Sequence, residues 1–298
     1  MNFTKGRRSK GVFWGVFIGL LVLIHGVAVA DLQEIKQKGV LRHLGIPYAN
    51  FVTGAGDGMD VELVQLFAQK LGVKYEFVET TWKNVIGDLT GTRVKPKGDD
   101  IEIIGKVPVK GDIVACGFTL LPWRQKIVDY SVPTFPSQVW LVATAQSSLE
   151  PIIPSKDIVK DISQVKKLLK GHKVLTKANT CLSAEACGLI NTKAKVENFP
   201  GALNELAPAL IKGEAEATAL DVPDALVALE KWHGKLKIIG PLTTTQNMAC
   251  AFAKTSPQLR DAFNQFLQQC RADGTYLRLV RKYYPEIINN YPEFFAQK

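Results

Sequence analysis

The sequence contains few of the residues and spacings that mark an enzyme. Only four histidines occur in 298 residues, and no metal-protease, nucleophile-elbow or P-loop motif is found. The glycine-rich stretch GAGDG at 54–58 is not spaced as a dinucleotide fingerprint. No CxxC pair occurs either, so a zinc or thioredoxin-like site has no support. These absences argue against a metal-dependent or covalent hydrolase, and no cofactor is expected.

A basic surface for nucleic acid is also missing. The formal net charge of +9 includes four basic residues and no acidic residue within positions 1–30, so the remainder of the chain carries 33 − 28 = +5. Those charges are spread out and are not interleaved with aromatic residues. Nucleic acid is therefore not an expected partner.

The first thirty residues have the pattern of a secretory signal peptide. Basic residues at 5–10 precede an apolar run at 12–30, which ends on Ala28-Val29-Ala30. An uncleaved membrane anchor is the alternative, because the run is nearly long enough to span a bilayer. His25 within the run and the small-x-small ending favour cleavage before Asp31. We therefore expect an exported, periplasmic and soluble mature chain.

The chain has five cysteines, an odd number that leaves at least one without an intramolecular partner. Cys181 and Cys187 flank a short turn, and we expect them to be oxidised to a disulfide. Cys250 and Cys270 are a second possible pair. Cys116 lies in an apolar run, where a buried free thiol is the expected state.

Strand-like and helix-like segments alternate along the chain. Such alternation predicts an α/β protein with mostly parallel sheets covered on both faces. The helical spacing of apolar residues at 59–73 predicts an amphipathic helix, with Asp60 placed to cap it. A helix, a glycine break and a second helix are expected at 256–285, packed onto a domain formed earlier. The predicted strands are GVLRHLGI (39–46), KYEFVETTW (74–82), IVACGFTL (113–120), QVWLVATA (138–145), HKVLTKA (172–178) and AEATALD (215–221).

Residues 91–112 interrupt this alternation. The segment is polar and rich in glycine and lysine, and its short β-prone centre suggests a hairpin. It is either a solvated surface excursion or an element on which a partner docks.

The turn after the third predicted strand contains a candidate binding group. Ligands of open α/β sheets bind beyond the carboxyl ends of strands, and Thr119 and Arg124 lie there, in GFTLLPWRQKIVDYS. A guanidinium matches a carboxylate with two parallel hydrogen bonds, and a threonine hydroxyl can add a third. The alternative is that Arg124 forms a surface ion pair that contributes little.

The surroundings of this turn resemble a known family. The segment GDIVACGFTLLPWRQKIVDYSVPTF is similar to the glycine, acid, strand, G-x-T, arginine and VDFS-x-P order of the amino-acid-binding periplasmic proteins of ABC importers. The segments GVLRHLGIPYANF, GMDVELVQLFAQKLGVKYEFVET, GEAEATALDVPDAL and the stretch from 236 to 284 follow in the same order. The resemblance covers about residues 33–284.

This resemblance implies the site residues. Arg124 would clamp the α-carboxylate of the ligand with help from Thr119, and Asp221 would meet the α-ammonium from the opposite lobe. A helix cap is the alternative role of Asp221. Where family members have a KGT turn, the sequence TKANTCL makes Thr180 the candidate. The aromatic residue that stacks on the ligand is either Tyr48 or Phe51.

The resemblance also implies a type II periplasmic binding protein fold, with two α/β lobes joined by two hinge crossings near 137 and 245. Residues 31–137 and 246–298 would form lobe I, and 138–245 lobe II. The expected function is a monomeric receptor for an amino acid or similar small carboxylate, working with a membrane permease. An accessory or sensory partner of another periplasmic protein and a dehydratase-like enzyme are the alternatives.

Overall fold

The structure is a computed structural model that describes residues 1–2 and 31–296. The predicted signal peptide and its cleavage point therefore lie outside the described residues, apart from Met1 and Asn2. Within the described part of the chain, no helix is long and apolar enough to cross a membrane.

The elements follow one another in an α/β order. The strands are β1 (Val40–Gly45), β2 (Lys74–Glu79), β3 (Thr92–Lys97), β4 (Asp100–Lys106), β5 (Ile113–Val114), β6 (Val128–Tyr130), β7 (Phe135–Ser137), β8 (Val139–Thr144), β9 (Lys173–Thr176), β10 (Lys195–Asn198), β11 (Ala217–Asp221), β12 (Leu236–Pro241), β13 (Gln246–Met248) and β14 (Ala251–Ala253). The helices are α1 (Leu32–Lys38), α2 (Met59–Leu71), α3 (Val85–Thr90), α4 (Pro122–Gln125), α5 (Ile158–Leu168), α6 (Leu206–Ile211, preceded by a 3-10 turn, Leu203–Glu205), α7 (Val222–Lys231), α8 (Pro257–Ala272), α9 (Thr275–Tyr283), α10 (Ile287–Asn290) and α11 (Pro292–Phe295).

Two five-stranded sheets form the centres of two lobes. Lobe I has the strand order β2-β1-β5-β14-β6, and lobe II has the order β10-β9-β11-β8-β12. All six strands predicted from the sequence are present, and the α/β fold class with two lobes is confirmed.

The expectation of mostly parallel sheets is confirmed, with one reversed strand in each sheet. In lobe I, β1 pairs in parallel with β2 and β5, but β14 pairs antiparallel with β5 and β6. In lobe II, β8 likewise pairs antiparallel with β11 and β12. Both exceptions are strands that follow directly on a crossing from the other lobe. After each crossing, the chain therefore enters the sheet at the edge where the parallel strands have their carboxyl ends.

The chain crosses between the lobes twice, and the two crossings pair with each other. Strand β7 leads into β8 of lobe II, and β13 leads back towards β14 of lobe I. The two crossings are antiparallel, with Gln246 opposite Ser137 and Met248 opposite Phe135. The two hinge crossings predicted from the sequence are thus confirmed.

The interruption at 91–112 contains a β-hairpin, as its composition suggests. Strands β3 and β4 form a two-stranded antiparallel sheet of their own. A register shift next to Arg93 leaves one residue of β4 unpaired, which is the geometry of a bulge. Ile103 and Ile104 beside it are 63% and 57% exposed.

The helical tail packs on lobe I. Gly274, with φ of 79°, separates α8 from α9, and α9 contacts both α2 and α8. Phe67 of α2 packs edge-on against Phe263 of α8, with ring centroids 5.2 Å apart. The predicted helix, glycine break and helix are confirmed, and the tail completes the lobe in which the chain begins.

Candidate functional site

Arg124 lies in the short helix α4, directly after the turn that follows β5. Its side chain is 2% exposed, and its guanidinium carbon lies 4.0 Å from the centroid of the Phe118 ring. One terminal nitrogen donates to the carbonyl of Thr119 at 2.9 Å, and the other donates to the carbonyl of Asn179 in lobe II at 3.1 Å. Nε has no hydrogen-bond partner. Arg124 is therefore a fixed, buried cation at the contact between the lobes.

Asp221 ends strand β11 and caps helix α7 of lobe II, so its two sequence-based roles are compatible. Its carboxylate accepts a hydrogen bond from the backbone N–H of Asp224 at 3.3 Å and lies 3.7 Å from the thiol of Cys181. Burial raises the pKa of Asp221 to about 6, although the nearby Tyr48 hydroxyl, the Asp224 amide and the Cys181 thiol oppose that rise. No salt bridge among the described residues involves Arg124 or Asp221.

Tyr48 and Phe51 occupy different surroundings. The Tyr48 ring packs edge-on against Trp82 at 5.8 Å, and its buried hydroxyl, which lies close to Asp221, makes no hydrogen bond of good geometry. Phe51 packs against Phe135 and Tyr284, each with ring centroids 5.0 Å away. The structure thus brings Tyr48, and not Phe51, to the predicted ammonium-binding carboxylate.

The two candidate threonines lie on facing sides of the lobe contact. The backbone carbonyl of Thr119 receives the Arg124 hydrogen bond, and its hydroxyl interacts with the Cys181 thiol. The Thr180 hydroxyl donates to the carbonyl of Lys177 at 2.8 Å and accepts from the N–H of Leu182 at 3.1 Å. Thr180 therefore shapes the turn of lobe II, while Thr119 lies between Arg124 and that turn.

Sequence reasoning missed three residues of this region. Asn179, in the left-handed conformation with φ of 64°, presents the carbonyl that Arg124 binds. Cys181 lies between Thr119 and Asp221. Asp224 is 5% exposed, and its Oδ2 has no partner. The sequence offered two signals for these residues. Asp224 is a polar residue one helical turn after Asp221, and Asn179 is a polar residue next to Thr180.

The prediction of a disulfide between Cys181 and Cys187 is wrong. All five cysteines are free and buried. The Cys181 thiol points to Asp221, whereas the Cys187 thiol donates to the carbonyl of Cys181 at 3.5 Å. Because the two thiols have different partners in the packed turn, proximity in sequence does not bring the sulfur atoms together.

Asp60 is not the cap of α2, contrary to the sequence-based expectation. Gly58 occupies the cap position without a side-chain hydrogen bond. The buried Asp60 carboxylate instead accepts from the N–H of Gly117 at 2.7 Å, just after β5. Its other oxygen has no partner, and burial raises its pKa to about 7. Asp60 therefore anchors the start of the turn that carries Thr119 and Arg124.

The Asp60 carboxyl should make stability depend on pH. Its pKa of about 7 in the folded chain exceeds the ordinary 3.8, so folding favours the protonated form. The contribution of Asp60 to the free energy of unfolding is then greatest below pH 4. It falls by on the order of 2–4 kcal/mol as the pH rises towards 7. Asp60→Asn should flatten that slope in urea unfolding at a series of pH values. As a control, Asp99→Asn at an exposed position of the hairpin should keep the parent's slope of unfolding free energy against pH. If Asp60→Asn also kept that slope, the pH dependence would not come from Asp60.

A cavity of about 720 Å³ adjoins these residues. The hairpin tip at Pro96–Asp99, the turn at 120–123 and the lobe II turn at 178–186 form its walls, which include Thr180. Arg124, Thr119 and Asp221 do not line it, because they are buried between the lobes. The hairpin thus extends lobe I across the mouth of the interlobe region.

Buried polar atoms without a partner concentrate where the lobes meet. In addition to Tyr48, Arg124 and Asp224, the hinge residues Ser137 and Gln246 each have one such atom. Buried polar groups are nearly always hydrogen-bonded in folded proteins. The arrangement is therefore that of a two-lobed binding protein, in which, among the described residues, polar atoms without partners lie between the lobes.

The comparisons with known proteins agree with this class. The family model of bacterial extracellular solute-binding proteins, family 3, matches residues 45–95 and 108–286, and the chain belongs to that family. Residues 96–107, which include the hairpin tip and β4, lie outside the match.

Individual relatives are similar along most of the chain. A probable amino-acid ABC transporter-binding protein of Haemophilus influenzae is 29% identical over 262 residues, which cover 84% of this chain and 86% of the relative. A mutant of ArgBP from T. maritima has a TM-score of 0.67 at 23% identity, covering 85% of this chain and 99% of that one. The ancestral amino acid-binding protein AncCDT-1, a precursor of cyclohexadienyl dehydratase, has a TM-score of 0.65 at 27% identity, covering 85% and 98%. The type II periplasmic binding fold is thereby confirmed.

Proposed function

We propose that this protein is a periplasmic receptor that binds an α-amino acid, or a similar small zwitterion, between its lobes and delivers it to an ABC importer. The supporting observation is the pair of buried charges, Arg124 from lobe I and Asp221 from lobe II, neither of which has a salt-bridge partner among residues 31–296. An α-carboxylate and an α-ammonium would neutralise both charges at once. The relatives named as amino-acid-binding proteins support the same ligand class.

The mechanism is a population shift rather than a chemical reaction. A ligand that contacts both lobes stabilises the closed form, and the closed form is what a permease partner recognises. The hydrogen bond from Arg124 to the carbonyl of Asn179 already joins the lobes. In this proposal lobe I comprises 31–137 and 246–298, lobe II comprises 138–245, and Tyr48, Thr119 and Thr180 complete the site.

A role as accessory or sensory partner of another periplasmic protein is the second candidate. The hairpin and the exposed Ile103 and Ile104 favour it, because large exposed apolar residues often mark contact surfaces. The two roles share the same ligand site and differ in the partner that reads the closed form.

A thermal-shift screen of amino acids and small carboxylates tests the proposed ligand class. A ligand at a hundred times its dissociation constant stabilises the folded state by about 2.7 kcal/mol, so a bound amino acid should raise the unfolding midpoint clearly. Amino-acid amides, which have no carboxylate, serve as controls and should leave the midpoint unchanged. A screen in which no α-amino acid shifts the midpoint would contradict the proposal.

A further inference from the structure

A second groove lies on the outer surface of lobe II, between helix α5 and the turn at 188–193. Its volume is about 580 Å³. Four lysines and no carboxylate line it: Lys166, Lys167, Lys170 and Lys193. Among the described residues, none of these lysines takes part in a salt bridge. The groove is therefore a concentration of positive charge that the protein does not neutralise.

Exposed aliphatic side chains border the same groove. Val159, which lines the groove, is 67% exposed, and Ile190, within the turn at 188–193, is 60% exposed. Large aliphatic side chains exposed beside a groove indicate an interaction surface.

We infer that this groove docks lobe II on a membrane that contains anionic lipids. Amphipathic surfaces that place lysines beside aliphatic residues bind at the headgroup level, where ammonium groups meet lipid phosphates and aliphatic side chains enter the acyl boundary. A free phosphate ion would contact the lysines but would gain nothing from Val159 and Ile190. A lipid surface would contact both the lysines and the exposed aliphatic side chains.

The surface is separate from the ligand-binding residues. Strand β9 and the turn that contains Thr180 and Cys181 connect the groove to the lobe contact, but no groove residue is among the proposed ligand contacts. Membrane docking and ligand binding can therefore be measured independently, and a failure of one does not imply a failure of the other.

Vesicle sedimentation tests the docking surface. The exported protein should bind vesicles of phosphatidylglycerol mixed with phosphatidylcholine and should not bind pure phosphatidylcholine. The double variant Lys166→Gln/Lys167→Gln should lower the partition coefficient about twenty- to thirtyfold, because each lysine near an anionic surface contributes about fivefold. Salt should weaken the binding of the parent.

A matched control separates this surface from general attraction to a basic protein. Lys95→Gln/Lys97→Gln removes two unpaired lysines from the hairpin and should leave vesicle binding within about twofold of the parent, since the charges removed lie on another lobe. Equal losses in both double variants, or no binding that depends on phosphatidylglycerol, would overturn the assignment. Calorimetric binding of inorganic phosphate without vesicle binding would also overturn it, in favour of a free anion.

Discussion

Replacing Arg124 with alanine is expected to weaken the binding of an α-amino acid by about thirtyfold to several thousandfold. The substitution removes a buried cation at the lobe contact and leaves the ligand carboxylate buried without a partner. It also removes the hydrogen bonds to the carbonyls of Thr119 and Asn179, so the closed form loses a link between the lobes.

Two further substitutions give this result its controls. Arg93→Ala removes an exposed arginine from the hairpin and should leave affinity unchanged. Arg124→Lys retains the charge but loses the planar fork, and it should fall between the parent and Arg124→Ala. Equal calorimetric affinities of the parent and Arg124→Ala would rule out the amino-acid receptor and favour the accessory role.

The burial of Arg124 changes one expectation from the sequence. Ligand-binding residues at the surface of an open cleft could be substituted with little effect on stability, and the predicted roles of Arg124 and Asp221 imply such a position. In the structure they are 2% and 1% exposed, respectively, and Arg124 packs on an aromatic ring. Unfolding midpoints must therefore accompany every affinity measurement.

Asp221→Asn is expected to weaken the binding of an α-amino acid by a similar factor. The affinity for a ligand that has only a carboxylate should not change. Asparagine caps helices as well as aspartate does, so helix α7 should keep its N-terminal hydrogen bond. The change removes only the negative charge that would face the ammonium group. Retained binding of the amino acid by Asp221→Asn would contradict the proposed role.

The pH dependence of ligand binding follows from the titration of the Asp221 carboxyl. Its pKa of about 6 without ligand means that a growing fraction is neutral below pH 6. Binding an ammonium group requires the charged form, so the affinity of the parent should fall as the pH drops through about 6. Asp221→Asn should show a flatter profile in calorimetric titrations at matched pH values.

Alternation of strands and helices was enough to predict the α/β class, because buried strands and amphipathic helices leave periodic patterns, whereas the two lobes were predicted from the family resemblance. The antiparallel strands β8 and β14 could not be predicted in that way. Their direction depends on where the chain re-enters a sheet after crossing between lobes, and local periodicity contains no information about that path.

The site was predictable only in part, for reasons that particular residues illustrate. Asp221 ends strand β11 and Arg124 follows the turn after β5, and the topology of such sheets places strand ends at ligand sites. Tyr48 and Phe51 are both aromatic and three positions apart, so only tertiary packing separates the one near Asp221 from the one in the core of lobe I. Asp60 fits a helix-cap position in sequence, but a tertiary contact with Gly117 determines its place.

Calorimetric titration with one amino acid and its two blocked forms tests the central claim most directly. The amino acid that raises the unfolding midpoint most would be compared with its amide, which lacks the carboxylate, and with its N-acetyl form, which lacks the ammonium. If Arg124 and Asp221 hold the two charges from opposite lobes, both blocked forms should bind at least about thirtyfold more weakly. Tight binding of either blocked form would show that the ligand does not bridge the two lobes through these charges.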